Sequence, residues 1–326
     1  MRAARLSPAI RCRPVPNAAW VFPGQGSQQV GMGKALAERY RPAARAFDEA
    51  SDALGIDVRA LCWDGPDGLL DLTVNAQPAI VTTSVAALRA ALDEGLMGAS
   101  GREAGDVICL GHSVGEYSAL VAAGALELGD AVRLVRRRGE LMQSVAAGGM
   151  AAVLGLDADA ITRVIAGTAL VVANDNAPGQ VVVSGPQGAI EAATGPLKAA
   201  GAKRVVPLRV SGAFHSPLMR DIATELRRAL DAAPWSALRY RVIANVDAEV
   251  HEHARDFPEL LERQVWSPVR WVDSVRVAAA EGAELFIEFG AGNVLTGLAK
   301  RILPAPQTAS VGNPAGVEEA LSLRGR

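Results

Sequence analysis

The sequence predicts an α/β protein in which a smaller unit is inserted into a larger one. Short apolar runs bounded by glycine alternate with longer amphipathic stretches, as they do where helices connect the strands of a parallel sheet. In the middle of the chain the order becomes strand-helix-strand-strand-helix-strand, which is typical of a ferredoxin-like unit. The chain has 326 residues and is 50% hydrophobic, so it can form one large domain or two unequal ones with a substantial core.

The elements before the inserted unit follow from these patterns. Strands are predicted over 19–22 and 107–110, and helices over 35–54, 78–94, 116–125 and 128–138. One helix is predicted to begin at Pro78 because proline is tolerated at the first position of a helix. The run 107–110 is apolar throughout, as expected for a strand that is covered on both faces.

The inserted unit and the last part of the chain complete the prediction. In the unit, strands are predicted over 150–156, 169–173, 180–184 and 204–210, helices over 158–166 and 187–200, and a turn over 174–179. After the unit, helices are predicted over 220–231, 272–281 and 294–301, and strands over 240–245 and 285–289. We therefore expect a large α/β domain (20–147 and 212–326), a ferredoxin-like subdomain (148–211) and a disordered extension (1–19).

Composition excludes several classes of function. With 33 basic and 35 acidic residues the net charge is −2, so no overall positive field attracts nucleic acid or an anionic membrane. The three cysteines form no CxxC pair, which argues against a disulfide scaffold and a structural zinc site. No apolar run reaches the ~18 residues of a membrane span. We expect a cytoplasmic protein; the arginine-rich, proline-broken segment 1–19 leaves organellar import as the lesser alternative.

The strongest local signal is the sequence GHSVG at 111–115, which follows a predicted strand and precedes a predicted helix. A serine on such a tight turn exposes its hydroxyl at the carboxyl edge of the sheet, and the flanking glycines allow close backbone approach. Ser113 is therefore a candidate nucleophile. The backbone N–H of Val114 would lie at the start of a helix, where it can bind an oxyanion.

A serine hydroxyl needs a base, and the chain has four histidines. His112 lies inside the turn, where adjacent side chains diverge. His251 and His253 lie in a polar stretch that predicts a solvated loop; a metal pair there would lack further ligands. His215 stands where the small unit rejoins the large one, a usual place for a cleft, and is the preferred base. No acidic partner stands out, so either the acid is hidden or a backbone carbonyl orients the imidazole.

A glycine-rich loop at 22–28 does not match the nucleotide-binding patterns. Gln29 stands where the dinucleotide motif requires glycine, and Gln28 and Ala35 break the P-loop pattern. The loop could direct a backbone N–H into a site as a second oxyanion donor, or it could be a tight structural turn.

Three consecutive arginines, Arg136, Arg137 and Arg138, close the helical pattern that begins at Leu128. They point in three directions from a helix, so one of them could face inward and bind a carboxylate with its planar fork of donors. The sequence pattern does not choose which one.

Six segments together resemble the malonyl-CoA:acyl carrier protein transacylases of fatty acid synthesis and the acyltransferase domains of polyketide synthases. They are VFPGQGSQ at 21–28, GHSVGEYSAL at 111–120, RG at 138–139 with Met142, NDNAPGQ at 174–180, GAFHSPLM at 212–219 and EFGAGNVLTG at 288–297. They occur in the family's order and span about 20–303. The resemblance implies a hydrolase-like α/β domain with an inserted ferredoxin-like subdomain.

The resemblance also implies roles for individual residues. Ser113 corresponds to the nucleophile that carries the acyl group as an ester, and His215 to its base. Gln25 and Val114 correspond to the residues whose backbone N–H groups form the oxyanion hole. Arg138 corresponds to the arginine that binds the free carboxylate of a malonyl group.

Two further roles follow from the same resemblance. Gln264 matches the residue whose backbone carbonyl orients the histidine, which would explain the missing acid. Phe214 is the form associated with malonyl rather than methylmalonyl selectivity.

The implied activity is transfer of malonyl from malonyl-CoA to the phosphopantetheine thiol of an acyl carrier protein, in support of fatty acid synthesis. No cofactor or metal is implied, and we expect a monomer with neither nucleic acid nor membrane as a partner. Four alternatives remain open. They are a serine thioesterase or hydrolase, a non-catalytic docking subunit, a stand-alone polyketide acyltransferase, and the malonyl-loading subunit of a malonate decarboxylase.

Overall fold

Two β-sheets organise the chain, one mostly parallel and one antiparallel. This computed structural model describes residues 18–65, 68–97, 107–145 and 148–324. The strands within these residues are β1 (Ala18–Phe22), β2 (Val107–Gly111), β3 (Gly149–Leu154), β4 (Val171–Ala177), β5 (Gln180–Gly185), β6 (Arg204–Pro207), β7 (Arg241–Ile243), β8 (Val250–His251), β9 (Leu285–Phe289) and β10 (Gln307–Val311).

Helices pack against both sheets. Those within the described residues are α1 (Lys34–Arg39), α2 (Arg41–Leu54), α3 (Val58–Trp63), α4 (Thr73–Asp93), α5 (Gly115–Ala122), α6 (Leu128–Ser144), α7 (Ala158–Val164), α8 (Gln187–Ala199), α9 (Arg220–Asp231), α10 (Phe257–Gln264), α11 (Trp271–Ala280), α12 (Val294–Ile302) and α13 (Pro314–Arg324). None of the helices in this part of the chain is long and apolar enough to cross a membrane.

The large sheet has the strand order β10-β9-β1-β2-β7-β8, in which only the β7–β8 pair is antiparallel. The central strands β1, β2 and β9 are buried along their whole length, as expected for parallel strands covered by helices on both faces. The carboxyl ends of β1, β2 and β7 therefore meet at one edge, which is where open α/β sheets place their sites.

The small sheet has the order β4-β5-β3-β6, and its described strand pairs are antiparallel. Its elements run β3-α7-β4-β5-α8-β6, so the predicted strand-helix-strand-strand-helix-strand order is confirmed. Apolar side chains from these strands and helices form their own cluster. The fold class predicted from the sequence is thus confirmed, and the proposed domain boundaries remain a prediction.

The helix predicted over 35–54 is two helices, separated at Tyr40, whose backbone is extended (φ −118°, ψ 116°). Pro42 explains the break. In a continuous helix its ring would clash with the carbonyl of Glu38, and it has no N–H to donate there. At the start of α2 the missing donor costs nothing.

The prediction that a helix begins at Pro78 is wrong, because α4 begins at Thr73 and contains Pro78 in its interior. Proline cannot donate to the carbonyl of Val74, one turn back. The side chain of Arg136 donates to that carbonyl instead, at 3.4 Å. A neighbouring helix therefore supplies the missing hydrogen bond, which a local sequence pattern does not reveal.

The turn predicted over 174–179 is mostly strand, because β4 continues to Ala177. Two register shifts interrupt its pairing with β5, so part of its backbone is free to pair elsewhere. The amide of Asp175 donates to the carbonyl of Val269 (3.0 Å), and the amide of Val269 donates to the carbonyl of Ala173 (2.9 Å). This exchange attaches the small sheet to the segment before α11.

Several elements were missed or shifted by sequence analysis. It did not predict α3, α10, α13, β8 or β10. The strand predicted over 204–210 ends at Pro207, and β1 begins at Ala18, inside the predicted extension. The rest of that extension lies outside the described residues.

Cys62 and Cys109 are free and fully buried. Burial raises the pKa of Cys62 to about 12 and raises the pKa of Cys109 as well, because a thiolate is disfavoured in an apolar interior. Cys109 lies on β2, two residues before the turn that carries Ser113.

Candidate active site

Ser113 lies on the turn between β2 and α5, with a left-handed backbone (φ 52°). Such a conformation costs a non-glycine residue about 1–3 kcal/mol and persists only where the surroundings enforce it. The two flanking positions must be glycine because a side chain at either one would clash with nearby backbone. A Cβ on Gly111 would lie 2.0 Å from the backbone of Gly115, and a Cβ on Gly115 would lie 2.1 Å from the carbonyl oxygen of Phe22.

The hydroxyl of Ser113 lies 2.7 Å from Nε2 of His215. The other ring nitrogen, Nδ1, lies 2.9 Å from the carbonyl oxygen of Gln264 and 3.2 Å from that of Ser267. A carbonyl oxygen can only accept, so Nδ1 carries the proton and Nε2 is free to accept from the serine hydroxyl. Two backbone carbonyls thus do the orienting that a carboxylate does in an ordinary triad.

His215 is buried and also has a left-handed backbone (φ 56°). Its amide donates to the carbonyl of Val265. The hydroxyl of Ser216 donates to the carbonyl of Ala213, which closes the turn that contains His215. Burial and the nearby Arg138 cation lower the pKa of His215 to about 3. The imidazole is therefore neutral near pH 7, as a base must be.

Two backbone amides face the same cavity without an acceptor. Among the described residues, neither the N–H of Gln25 nor that of Val114 donates to a protein group. Gly24 permits this approach, because a Cβ there would lie 2.4 Å from the carbonyl oxygen of His112. The loop after β1 thus packs directly on the serine turn, and the two amides are available to an oxyanion.

Arg138 is the arginine of the three that faces inward, and only 1% of its surface is exposed. Its guanidinium donates to the side-chain oxygens of Gln77 (2.9 Å) and Gln264 (3.0 Å) and to the hydroxyl of Ser113 (3.1 Å). Its Nε has no partner. Within the described residues no carboxylate forms an ion pair with it, so a buried cation that is held by neutral groups stands beside the hydroxyl of Ser113.

A buried polar network lies behind the turn. The Asn245 side chain accepts from the Ser113 amide (2.7 Å) and donates to the Gly111 carbonyl (2.6 Å). One carboxylate oxygen of Glu116 accepts from the Asn245 amide and from the Gln264 side chain, both at 2.9 Å. Burial raises the pKa of Glu116 to about 7.

These groups surround a cavity of about 270 Å³. Residues of both sheets and the segments around them line it: Gln25, Gly26, Gln28, His112, Ser113, Val114, Arg138, Met142, Met150, Asn174, Leu208, Arg209, Val210, Phe214 and His215. Phe214 lines the cavity next to the histidine. Nε2 of His112 lies 2.8 Å from the side-chain oxygen of Asn176 in β4.

The structure brings the sequence-predicted site residues together. Six of them line the cavity, and Gln264 contacts two of these six: its backbone carbonyl binds His215 and its side-chain oxygen binds Arg138. His251 and His253 are not part of it. The predicted solvated loop is wrong for His251, which is half-buried in β8 near Asp247 (3.4 Å), and no metal-binding cluster occurs among the described residues.

Sequence analysis missed three residues that contact the site, namely Asn245, Gln77 and Glu116. No local signal marks Asn245: it follows β7, and it reaches the serine turn only because β7 pairs with β2 and the carboxyl ends of parallel strands share one edge. Gln77 lies in the interior of α4, in a stretch with no chemical motif. Glu116 lies in the first turn of a predicted helix, where an acidic residue is common and indicates no special role.

The arrangement can form an ester on a serine. It combines a hydroxyl bonded to a neutral imidazole, two free amides and a buried guanidinium in one cavity, and this is the constellation of a serine-dependent acyl-transfer site. The family model for the acyl transferase domain matches residues 19–315. The chain belongs to this acyl transferase family.

The chain is also similar to individual proteins over almost its whole length. The chain is 44% identical over 311 residues to the malonyl CoA-acyl carrier protein transacylase of Bacillus subtilis strain 168, covering 93% of this chain and 96% of the relative. A crystal structure of acyl-carrier-protein-S-malonyltransferase from Bartonella henselae superposes with a TM-score of 0.90 at 39% identity, covering 95% of this chain and 100% of the other.

A third similar structure contains a partner. It is a type II polyketide synthase acyl-carrier protein in complex with its malonyl-transacylase, with a TM-score of 0.87 and 39% identity, covering 94% of this chain and 99% of the matched chain.

Proposed function

We propose that this protein transfers malonyl from malonyl-CoA to the phosphopantetheine thiol of an acyl carrier protein, through an ester on Ser113, in support of fatty acid synthesis. The observation that carries the proposal is Arg138, a buried guanidinium 3.1 Å from the nucleophile with no carboxylate ion-paired to it in the described part of the chain. Such a cation favours an acyl group that brings its own carboxylate.

In the first half-reaction Oγ of Ser113 attacks the thioester carbonyl while Nε2 of His215 accepts the hydroxyl proton. A C–O bond forms, and the carbonyl oxygen becomes an oxyanion that the amides of Gln25 and Val114 bind. The C–S bond then breaks, His215 gives its proton to the sulfur, and free coenzyme A leaves. The malonyl group remains on Ser113 as an ester.

The second half-reaction reverses these steps with a different thiol. The phosphopantetheine thiol gives its proton to Nε2 of His215 as its sulfur attacks the ester carbonyl. The same two amides bind the oxyanion, the bond to Oγ breaks, and Ser113 recovers the proton. Each half-reaction returns His215 to the neutral state, so proton and charge balance over the cycle.

Selectivity follows from what the cavity offers the acyl group. A malonyl carboxylate can replace the neutral oxygens of Gln77 and Gln264 on the Arg138 guanidinium and gain charge-assisted hydrogen bonds. An acetyl group offers Arg138 nothing. Phe214, which lines the cavity beside His215, would oppose a branch at the carbon between the two carbonyls, as in methylmalonyl.

Intact-mass analysis after brief exposure to malonyl-CoA, methylmalonyl-CoA and acetyl-CoA tests the proposal. We expect a malonyl mass increment on the wild type and none on Ser113→Ala. Ser118→Ala is a matched control, because Ser118 is also a buried serine, on α5, and should leave the adduct unchanged. A malonyl adduct that persists on Ser113→Ala would contradict the assignment of the nucleophile.

Turnover without a carrier separates transfer from hydrolysis. A transferase should accumulate the ester and release malonate slowly, whereas a thioesterase should release malonate over many turnovers. Measuring free malonate from malonyl-CoA, with and without a holo acyl carrier protein, distinguishes the two activities. Rapid carrier-independent release would overturn the transferase proposal.

A comparison of carriers tests the metabolic assignment. We expect kcat/KM to be higher with a holo acyl carrier protein of fatty acid synthesis than with one from a polyketide synthase. The reverse order would favour a stand-alone polyketide acyltransferase.

A further inference from the structure

The turn that carries Ser113 leaves the regular hydrogen bonding of the sheet. The amide of His112 still donates to the carbonyl of Phe22. The carbonyl of Gly111 and the amide of Ser113, which flank it, have no strand to pair with. Buried backbone groups without partners are rare and costly, so something other than a strand must satisfy them.

The carboxamide of Asn245 does so. Its nitrogen donates to the carbonyl of Gly111 and its oxygen accepts from the amide of Ser113, at 2.6 and 2.7 Å. A carboxamide has the donor and acceptor of a peptide group. Asn245 lies just beyond β7, beside β2, and its side chain extends the pairing of these strands by one peptide-like unit, at the point where the backbone of Ser113 turns left-handed.

Gln264 holds the other side of the nucleophile. Its side-chain nitrogen donates to the carbonyl of Ser113 (3.1 Å) and to Glu116 (2.9 Å). Its side-chain oxygen accepts from Arg138, and its backbone carbonyl accepts from His215. The amide and the carbonyl of Ser113 are thus each bound by a side chain.

Glu116 joins the two holding side chains. One of its carboxylate oxygens accepts from the backbone amide of Asn245 and from the side chain of Gln264. Both Glu116 and Asn245 are fully buried, so water cannot replace these bonds.

We propose that Asn245 and Glu116 are positioning residues that hold the strained backbone of Ser113 and align its hydroxyl with His215. Neither reaches the substrate cavity, so they act through Ser113 and Gln264. The inference deepens the proposed function and rests on it for the substrate, but the reactivity of Ser113 can be measured without malonyl-CoA.

Labelling by phenylmethylsulfonyl fluoride provides that measurement. Oγ of Ser113 displaces fluoride from sulfur, and His215 accepts the proton, so the labelling rate reports the alignment of the pair. We expect Asn245→Ala to label at least about tenfold more slowly than the wild type, because small misplacements of reacting groups cost up to about a hundredfold in rate. Ser274→Ala is the matched control. The buried hydroxyl of Ser274 donates to the carbonyl of Arg270, and the amide of Arg270 in turn donates to the carbonyl of Asn245. Ser274 is therefore close to the network but forms no hydrogen bond with Ser113 or with the side chain of Asn245.

Acylation by malonyl-CoA supplies a second readout. For Asn245→Ala, the maximal acylation rate should fall while the half-saturating malonyl-CoA concentration stays close to that of the wild type, because the cavity lining is intact. If labelling is slow but malonyl-CoA acylates neither protein, the substrate assignment fails and the positioning role stands. Wild-type labelling of folded Asn245→Ala would overturn the positioning role.

Two more variants keep the test decisive if alanine at 245 prevents folding. Asn245→Asp keeps the size and the acceptor but loses the donor to the Gly111 carbonyl, so it should also label slowly. Glu116→Gln keeps an acceptor for both N–H donors and should label faster than Glu116→Ala. Equal rates for the two Glu116 variants would show that the hydrogen bonds of Glu116 are not what aligns Ser113.

Discussion

The proposed recognition of the malonyl carboxylate depends on the guanidinium of Arg138 and on the groups that it binds. The free protein gives it three neutral oxygens, from Gln77, Gln264 and Ser113, which fix its plane without neutralising its charge. Burial lowers its pKa, but an arginine remains a cation at every physiological pH. The ligand that satisfies it best is an anion.

Replacing Arg138 should therefore reduce the preference for malonyl-CoA over acetyl-CoA, whereas Ser113 should still be acylated. We expect Arg138→Ala to lose about tenfold to hundredfold of the preference for malonyl-CoA over acetyl-CoA, because hydrogen bonds to charged groups contribute about 1.5–3 kcal/mol. Competitive acylation with both thioesters, read by intact mass, measures the ratio. Arg137→Ala is the control, since Arg137 is exposed and pairs with Glu140 and Glu225; an unchanged preference in Arg138→Ala would refute the role.

With His215 as the proposed base, its lowered pKa determines the pH dependence that we expect for acylation of Ser113. A histidine with the ordinary pKa of 6.5 is about 76% neutral at pH 7 and only about 3% neutral at pH 5. With a pKa of about 3, His215 remains neutral, and so competent as a base, over this whole range. We expect the labelling rate of Ser113 to show no loss with a midpoint near 6.5 between pH 7 and pH 5.

Rapid-quench labelling with a neutral sulfonyl fluoride, from pH 5 to pH 8, measures this dependence without a titrating substrate. The sign is fixed by the mechanism. A base is lost when it is protonated, so lowering its pKa moves the loss of rate toward acid. A midpoint near 6.5 would show that the imidazole is far better solvated than its burial indicates.

At the scale of elements, β1, β2 and α5 can pack closely around the serine turn because Gly111 and Gly115 have no side chain. A Cβ on Gly111 would lie 2.0 Å from the backbone of Gly115 and 2.3 Å from the amide of Glu116. Backbone atoms cannot move aside as the end of a flexible side chain can. The beginning of α5 would have to shift away from β2, and Ser113 with it.

Gly111→Ala should therefore lower the free energy of unfolding by at least about 3 kcal/mol, the upper range for overpacked cores. Urea denaturation followed by tryptophan fluorescence measures the change. Gly188→Ala is the control, because Gly188 is the second residue of α8 with nothing within 4 Å of its added Cβ. That substitution should stabilise the protein by about 0.4–1 kcal/mol, and equal effects of the two substitutions would contradict the packing argument.

Elements were predicted correctly from the sequence where the signal for them lies within a few neighbouring residues. The run 107–110 and the pentapeptide after it predicted β2, the turn and α5, because a buried strand, two glycines and a helix start are local features. The sequence-based prediction failed at Pro78, where Arg136 of another helix binds the freed carbonyl of Val74. It also missed Asn245, whose role exists only once β7 lies beside β2, since a lone asparagine after a strand has no signature of its own.

At the scale of the whole molecule, the cavity is lined from both sheets. Ser113 and Arg138 belong to the part built on the large sheet, whereas Met150 and Asn174 lie on β3 and β4 of the small one. The small sheet is attached through Val269 and through the bond between His112 and Asn176. The proposed subdomain 148–211 thus contributes a wall of the cavity rather than a remote appendage.

Hydrogen–deuterium exchange of Ser113→Ala with and without malonyl-CoA tests this arrangement. The substitution prevents turnover, so the thioester remains bound. We expect slower exchange in peptides that cover 23–28 from one part and 208–214 from the junction with the other. Peptides from α7, which does not line the cavity, should be unchanged; protection confined to the large-sheet part would contradict a shared cavity.

The burial of Cys62 and Cys109 has a consequence for the fate of the acyl group. Thioesters exchange readily with thiolates, so an accessible low-pKa cysteine would intercept malonyl and retain it on the wrong atom. Both described thiols are enclosed and have raised pKa values, which keeps them protonated at neutral pH. Among the described residues, therefore, no accessible cysteine sulfur competes with the hydroxyl of Ser113 for the incoming thioester.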